Sequence, residues 1–257
     1  MNGIKYQLDR FIEKHGESGK KEINTICKAH TITMDLDVDQ KVNYNGCKVS
    51  SDGELVIIFA EGYLGTNVDD TIAEEKFAPA LNDAPTASLA SPMSFHARRS
   101  INIEYNPHIE LIQKRLDDLL QFNVQLEPCF EEVFAKMKAA KSPEPRWEVQ
   151  FGFFMKEYFE GFVYKLETLK FGEDEMLREG FTEAVEKRAV AFRVVDASNM
   201  KKAYNECVLE DGILYLQVRL PVFNTSIPSH LLTCCQTVPE YFGANVGDCA
   251  VDVLDVL

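Results

Sequence analysis

The stretch WEVQFGFFMKEYFEGFVYKLETLK, residues 147–170, decides how the chain is read. On a period of two, Trp147, Val149, Phe151, Phe153 and Met155 share one face. Residues 157–161 then make a turn, and Phe162, Tyr164 and Leu166 return on a second strand. On a period of 3.6, Phe151, Phe154, Met155, Tyr158, Phe159, Phe162, Val163 and Leu166 fall on one helical stripe. Aromatic residues together with Gly152 and Gly161 favour strands, because both residue classes are poor helix formers. The unbroken stripe favours a helix. Sequence alone leaves both open.

Working outward, the flanking segments are easier to read. Upstream, residues 108–121 read as a helix with Ile109, Ile112, Leu116 and Leu119-Leu120 on one face, and a second helix starts near Pro128. Ile101, Ile103 and Tyr105 alternate as a strand that stops at Asn106-Pro107. Residues 66–100, with Pro79, Pro85 and Pro92, read as a long connection or irregular strands. Residues 55–60 are an unbroken apolar run, a buried strand. Ile32, Met34, Leu36 and Val38 alternate with Thr33, Asp35, Asp37 and Asp39, which predicts a half-buried strand. Residues 4–15 are an amphipathic helix ended by Gly16 and Gly19. Downstream, residues 173–187 read as a helix, 189–195 and 213–220 as strands, and 199–208 as a short helix. Strands and helices are segregated, so the expected class is α+β: a mixed, mainly antiparallel twisted sheet with an N-terminal amphipathic helix and a helical layer.

The chain of 257 residues carries 27 Lys and Arg against 41 Asp and Glu, a formal net charge of −14. A phosphate backbone is repelled on average, which argues against nucleic-acid binding. The charge is uneven. Residues 1–30 hold six bases and four acids, residues 35–85 hold eleven acids and three bases, and no base follows Arg219. The N-terminal helix is therefore the one element suited to an anionic surface. No charged-then-apolar leader opens the sequence, so a cytoplasmic location is expected. The seven cysteines are widely spaced with no Cys-x-x-Cys, which suits a reducing compartment. Three of them, Cys234, Cys235 and Cys249, cluster in the last 24 residues.

Catalytic signatures are missing. Asp35, Asp37 and Asp39 imitate the opening of a calcium loop, but Gln40 and Gly46 stand where its glycine and glutamate belong. The five histidines lack paired ligand spacing, and no nucleophile elbow, phosphate loop or dinucleotide fingerprint occurs. The expectation is a non-enzymatic protein with no metal and no cofactor.

The order of elements resembles the pore-forming domain of the gasdermins. The helix at 4–15, the strands at 31–60, the Pro/Ala-rich segment leading to residues 101–105 and the helix at 108–121 follow that order. Ala191-Phe192-Arg193-Val194 and the strand at 213–220 resemble the late strand pair of that family. The resemblance implies a pore-forming domain over 1–220, standing without an inhibitory domain, and an acidic cysteine-containing tail over 221–257. It further implies binding to acidic phospholipid through Lys5, Arg10 and Lys14, and movement from cytoplasm to membrane. There the segment 147–166 (Trp147, Val149, Phe151, Phe153, Met155, Phe162, Tyr164 and Leu166) would insert as a hairpin. Backbone pairing in lipid would require a large homo-oligomeric ring. An inactive dimer locked through Cys234, Cys235 and Cys249 is the accompanying expectation. The alternative reading is a soluble interaction module using its helices at 108–140 as a partner surface. An enzyme with a site assembled from scattered residues is the third.

Overall fold

The computed structural model describes residues 2–85, 92–140, 146–201 and 204–220. The class is α+β with mixed sheets. The chain divides after Arg99 into two compact units, Met1–Arg99 and Ser100–Leu257.

The first unit opens with α1, Asn2–Ile26. Gly16, at φ 60° and ψ −150°, is non-helical: the first helical segment ends there, as expected, and a second runs on through Ile26 across the kink, past Gly19. Three strands follow: β1 (Ile32–Leu36), β2 (Asn45–Val49) and β3 (Leu55–Phe59). They form a sheet in the order β1-β3-β2, with β1 parallel and β2 antiparallel to β3. Every residue of β3 is buried, as its unbroken apolar run requires. The described residues of 66–100 hold regular elements and not only a connection. They contain a 3-10 turn (Val68–Asp70), α2 (Glu74–Asn82) and the start of α3 (Phe95–Ser100). Phe77, Ala78 and Leu81 sit inward at helical spacing, and Pro79 is accommodated within α2. Phe11, Ile26, Leu55, Ile57, Phe59, Phe77, Leu81 and Phe95 close the core of this unit.

The second unit begins with a π-helical turn at Ile101–Tyr105, where alternation predicts a strand. Ile101 and Tyr105 are buried while Ile103 is exposed, which is the spacing of a helical turn and not of a pleat. Pro107 lies in the first turn of α4 (Asn106–Leu120), directly after the π turn. Next come β4 (Gln125–Glu127), α5 (Phe130–Ala139), α6 (Phe151–Thr168) and α7 (Glu175–Ala184). Asp174 caps α7 by accepting from the Leu177 N–H at 3.1 Å. The remaining strands are β5 (Ala189–Val195), β6 (Asn205–Glu210) and β7 (Ile213–Arg219). Residues 205–208, expected as helix, belong to β6. Here the pairing of Cys207 with Leu216 and of Val208 with Tyr215 outweighs a local helical reading. The sheet order is β4-β5-β7-β6, parallel across β4, β5 and β7, with β6 antiparallel to β7. Over both sheets the parallel pairings outnumber the antiparallel ones, opposite to the expected mainly antiparallel pattern.

The ambiguous stretch is helical. Phe151, Gly152, Phe154, Met155, Tyr158, Phe159, Phe162, Val163 and Leu166 of α6 are buried, reproducing the 3.6-residue stripe. The period-two partners separate: Val149, Phe153 and Tyr164 are exposed, while Trp147, Phe151, Met155, Phe162 and Leu166 are buried. Glycine at 152 permits this packing. Its N–H donates to Ser100 Oγ at 2.9 Å, and a Cβ there would stand 2.3 Å from the Ser100 carbonyl oxygen.

Candidate functional site

Among the residues expected to bind lipid, Arg10 and Lys14 lie one turn apart on α1. Lys5 is five residues from Arg10, about 140° around the helix, so the three do not form one patch. Lys5 is tied to Asp9 at 2.5 Å. Lys14 Nζ reaches Glu74 Oε2 at 2.5 Å. Arg10 and Lys14 line a cleft of about 500 Å³ between α1 and α2, but Glu13, Asp70, Glu74 and Glu75 line it too. An anion entering would meet more carboxylates than bases.

His15 sits below this cleft. Its side chain is 2% exposed, its Nε2 meets Glu74 Oε1 at 3.0 Å, and its Nδ1 has no hydrogen-bond partner among the described residues. The ring packs on Phe11 at 4.5 Å and Phe95 at 5.1 Å. Burial pulls the imidazole below its ordinary 6.5, although the bond to Glu74 acts the other way.

A second polar cluster escaped the sequence reading. On the second sheet, Gln217 Nε2 donates to Glu206 Oε1 at 2.5 Å, and Arg193 Nε donates to Gln217 Oε1 at 2.8 Å. Arg193 also pairs with Glu210 at 2.6 Å and covers the Tyr215 ring at 4.1 Å. The Lys201 N–H donates to Glu206 at 3.1 Å. The signal was present as two polar residues, Glu206 and Gln217, inside strands that are otherwise largely apolar. The cluster is closed by its own hydrogen bonds, which suits fixing strand register better than turnover.

The largest departure from expectation lies at β1. Alternation predicts Ile32, Met34 and Leu36 half-buried, yet they are 48%, 70% and 49% exposed. Their register partners on β3 are Leu55, Ile57 and Phe59, at 3%, 0% and 2%. Register partners share a face, so the apolar row of β1 continues the core face of the sheet into solvent. The backbone is open on the same strand. Leu55 N–H donates to Thr31 O and Asp37 N–H to Phe59 O, so odd-numbered residues pair with β3 and even-numbered ones point outward. Asp35 takes the Leu36 N–H at 2.9 Å, and Leu36 O accepts from Val38. The outward N–H and C=O groups of Ile32 and Met34 have no partner among the described residues.

The acids beside this edge are engaged. Lys48 reaches across β3 to Asp35 at 3.5 Å, Asp37 accepts the Val42 N–H at 2.7 Å, and Lys41 pairs with Asp39 at 3.0 Å. The helices expected to offer a partner surface, α4 and α5, are mostly polar outside, with Leu111 the large apolar exception.

Cys234, Cys235 and Cys249, with the whole tail 221–257, lie outside the described residues. Among the described residues, no group of three or more His, Cys, Asp or Glu side chains is placed to hold a metal ion, and no helix is long and apolar enough to cross a membrane. No family model, curated protein or solved structure matches the chain.

Proposed function

We propose that this chain is a non-catalytic interaction module that binds an extended polypeptide segment along β1. The observation that carries the reading is the β1 edge: outward backbone groups beside an apolar row that continues a buried core face. Strand addition uses those two features together, backbone bonds for affinity and alternate side chains for specificity. An edge left this way is otherwise an aggregation hazard, which proteins ordinarily blunt. The test is an array of extended peptides, including segments of this chain, probed with the wild type and with Met34→Lys. Retention of alternating apolar peptides by the wild type and their loss by the variant is expected. Equal retention by both sinks the reading.

The competing proposal, a membrane pore held in check by self-association, rests on the gasdermin resemblance. Its support here is the Gly16 kink, which sets apart the helical segment bearing Lys5, Arg10 and Lys14. It also asks α6 to surrender its buried face, at about 1.5–3 kcal/mol for each large side chain. Dye release from anionic and neutral vesicles, under oxidising and reducing conditions, separates the two. Sealed vesicles throughout are expected; leakage that depends on anionic lipid would restore the pore.

A further inference from the structure

We infer that the occupant of the β1 edge is a second copy of this chain, paired antiparallel about a two-fold axis through Met34. The inference rests on the reading of β1 as a binding edge and adds who binds it.

The strand is self-complementary in that register. Residues whose backbone groups point outward must lie opposite each other in an antiparallel pair. Here these are Ile32, Met34 and Leu36, the last of which must exchange its local bonds to Asp35 and Val38 for bonds across the pair. Centring on Met34 makes the two Met34 residues exchange N–H and C=O bonds, and sets each Ile32 opposite the other copy's Leu36. All six apolar side chains then share one face, in line with Leu55, Ile57 and Phe59 of each copy. The two three-stranded sheets become one of six strands.

The other face is matched as well. In this register Thr33 stands opposite Asp35, so no carboxylate faces a carboxylate directly, an arrangement that would be destabilising. Shifting the axis onto Asp35 would keep the even-numbered residues outward but set the two Asp35 carboxylates directly opposite each other. The charges also argue for a copy over a basic peptide. Asp35, Asp37 and Asp39 are already engaged by Lys48, the Val42 N–H and Lys41. A basic strand would have to displace those contacts, whereas a second β1 leaves them in place.

Three apolar side chains on each side make a small interface, at or below the low end of about 1,200 Å² for specific association. The pairing is therefore concentration-dependent. Each chain carries a net charge of −14, so added salt screens the repulsion between copies and strengthens it.

Sedimentation of the full chain over rising concentration tests this. The expected result is a shift from 29.1 kDa toward twice that mass, promoted by salt. Met34→Lys and Leu36→Lys, at exposed positions, should weaken association at least about tenfold while leaving the unfolding midpoint unchanged. Register is read by oxidising Met34→Cys and Thr33→Cys in parallel. Met34→Cys should add a cross-linked dimer over the wild-type background, and Thr33→Cys should not. A chain that stays monomeric at every concentration, or equal cross-linking by both variants, overturns the inference. If the monomer instead holds foreign strand peptides that Met34→Lys loses, the interaction-module reading survives and the two-fold pairing does not. Tight capture of Lys- and Arg-rich strands by a monomer, weakening with salt, points to a basic partner and equally overturns it.

Discussion

The Gly152 N–H donates to Ser100 Oγ at 2.9 Å in a buried contact that brings the first turn of α6 onto the opening residue of its own unit. The approach is close enough that the Ser100 carbonyl occupies the space of any side chain at 152. Gly152→Ala should destabilise the second unit by about 3 kcal/mol, the upper end for overpacking, since backbone and not a flexible tip is in the way. Ser100→Ala leaves the buried N–H unpaired and should cost about 1–3 kcal/mol. Denaturant midpoints of the two variants check both values, and a Gly152→Ala midpoint equal to the wild type would refute the contact.

Gly16 supports a second prediction. At φ 60° and ψ −150° it occupies a region open essentially to glycine, with nothing within 4 Å of a would-be Cβ. Crowding is absent, so the cost of substitution is conformational. Gly16→Ala should destabilise the first unit by about 1–3 kcal/mol, read as a lower thermal midpoint with no change in spectroscopic helix content.

Acid should weaken the first unit through His15. Burial holds its imidazole below 6.5 in the folded chain, so the unfolded chain takes up a proton first as the pH falls. Stability is therefore complete above 6.5 and declines below it until the lowered folded value is passed. Glu74 acts in the same direction at lower pH. Burial pushes its carboxyl up, but the bonds from Lys14 and His15 prevail and hold it below 4.5. Its contribution is present above 4.5 and lost as the pH falls through the depressed folded value. Urea midpoints measured from pH 7.5 to 5.5 should fall for the wild type and stay level for His15→Gln, which takes up no proton.

The thiols give a fourth check. Burial pushes Cys27 up to about 11 and Cys47 up to about 12, where nearby Cys27 adds to the rise at Cys47 and Lys76 partly offsets it. Thiolate is the reactive form, so both should resist alkylation in the folded chain at pH 8. Peptide mass mapping after brief iodoacetamide treatment should find them unmodified, and modified after denaturation. Rapid native labelling of Cys47 would contradict its placement in β2.

Much of the architecture was written in local pattern. Residues 189–195 alternate too little to be half-exposed and carry β-branched residues, and they form β5 with those bounds. The amphipathic run at 173–187 marked α7, although the helix itself runs only from Glu175 to Ala184. The errors have physical causes. Ile101, Ile103 and Tyr105 satisfy a period of two by chance, while a π turn uses only the outer pair for burial. Residues 205–208 form a strand because β7 stands ready to pair with them, a long-range fact absent from their composition. Residues 147–170 fit two periods at once, and only the surroundings of Gly152 separate them. The candidate edge is the most instructive case. The alternation of β1 correctly marked a strand with one apolar face, but whether a cover lies over that face depends on where α1 and α2 stop, which no window of residues records.

The parallel pairing of β4 with β5 has a temporal side. Leu126 meets Val190 only after the chain between them, carrying α5, α6 and α7, has been made and folded back. A nascent chain can finish the first sheet early, since β3 joins β1 and β2 over short separations. The second sheet must wait, because closing a long loop costs entropy before its contacts repay it. During synthesis the aromatic face of α6 therefore emerges ahead of the strands that complete its unit, and that interval is when the newborn protein is most in need of a chaperone.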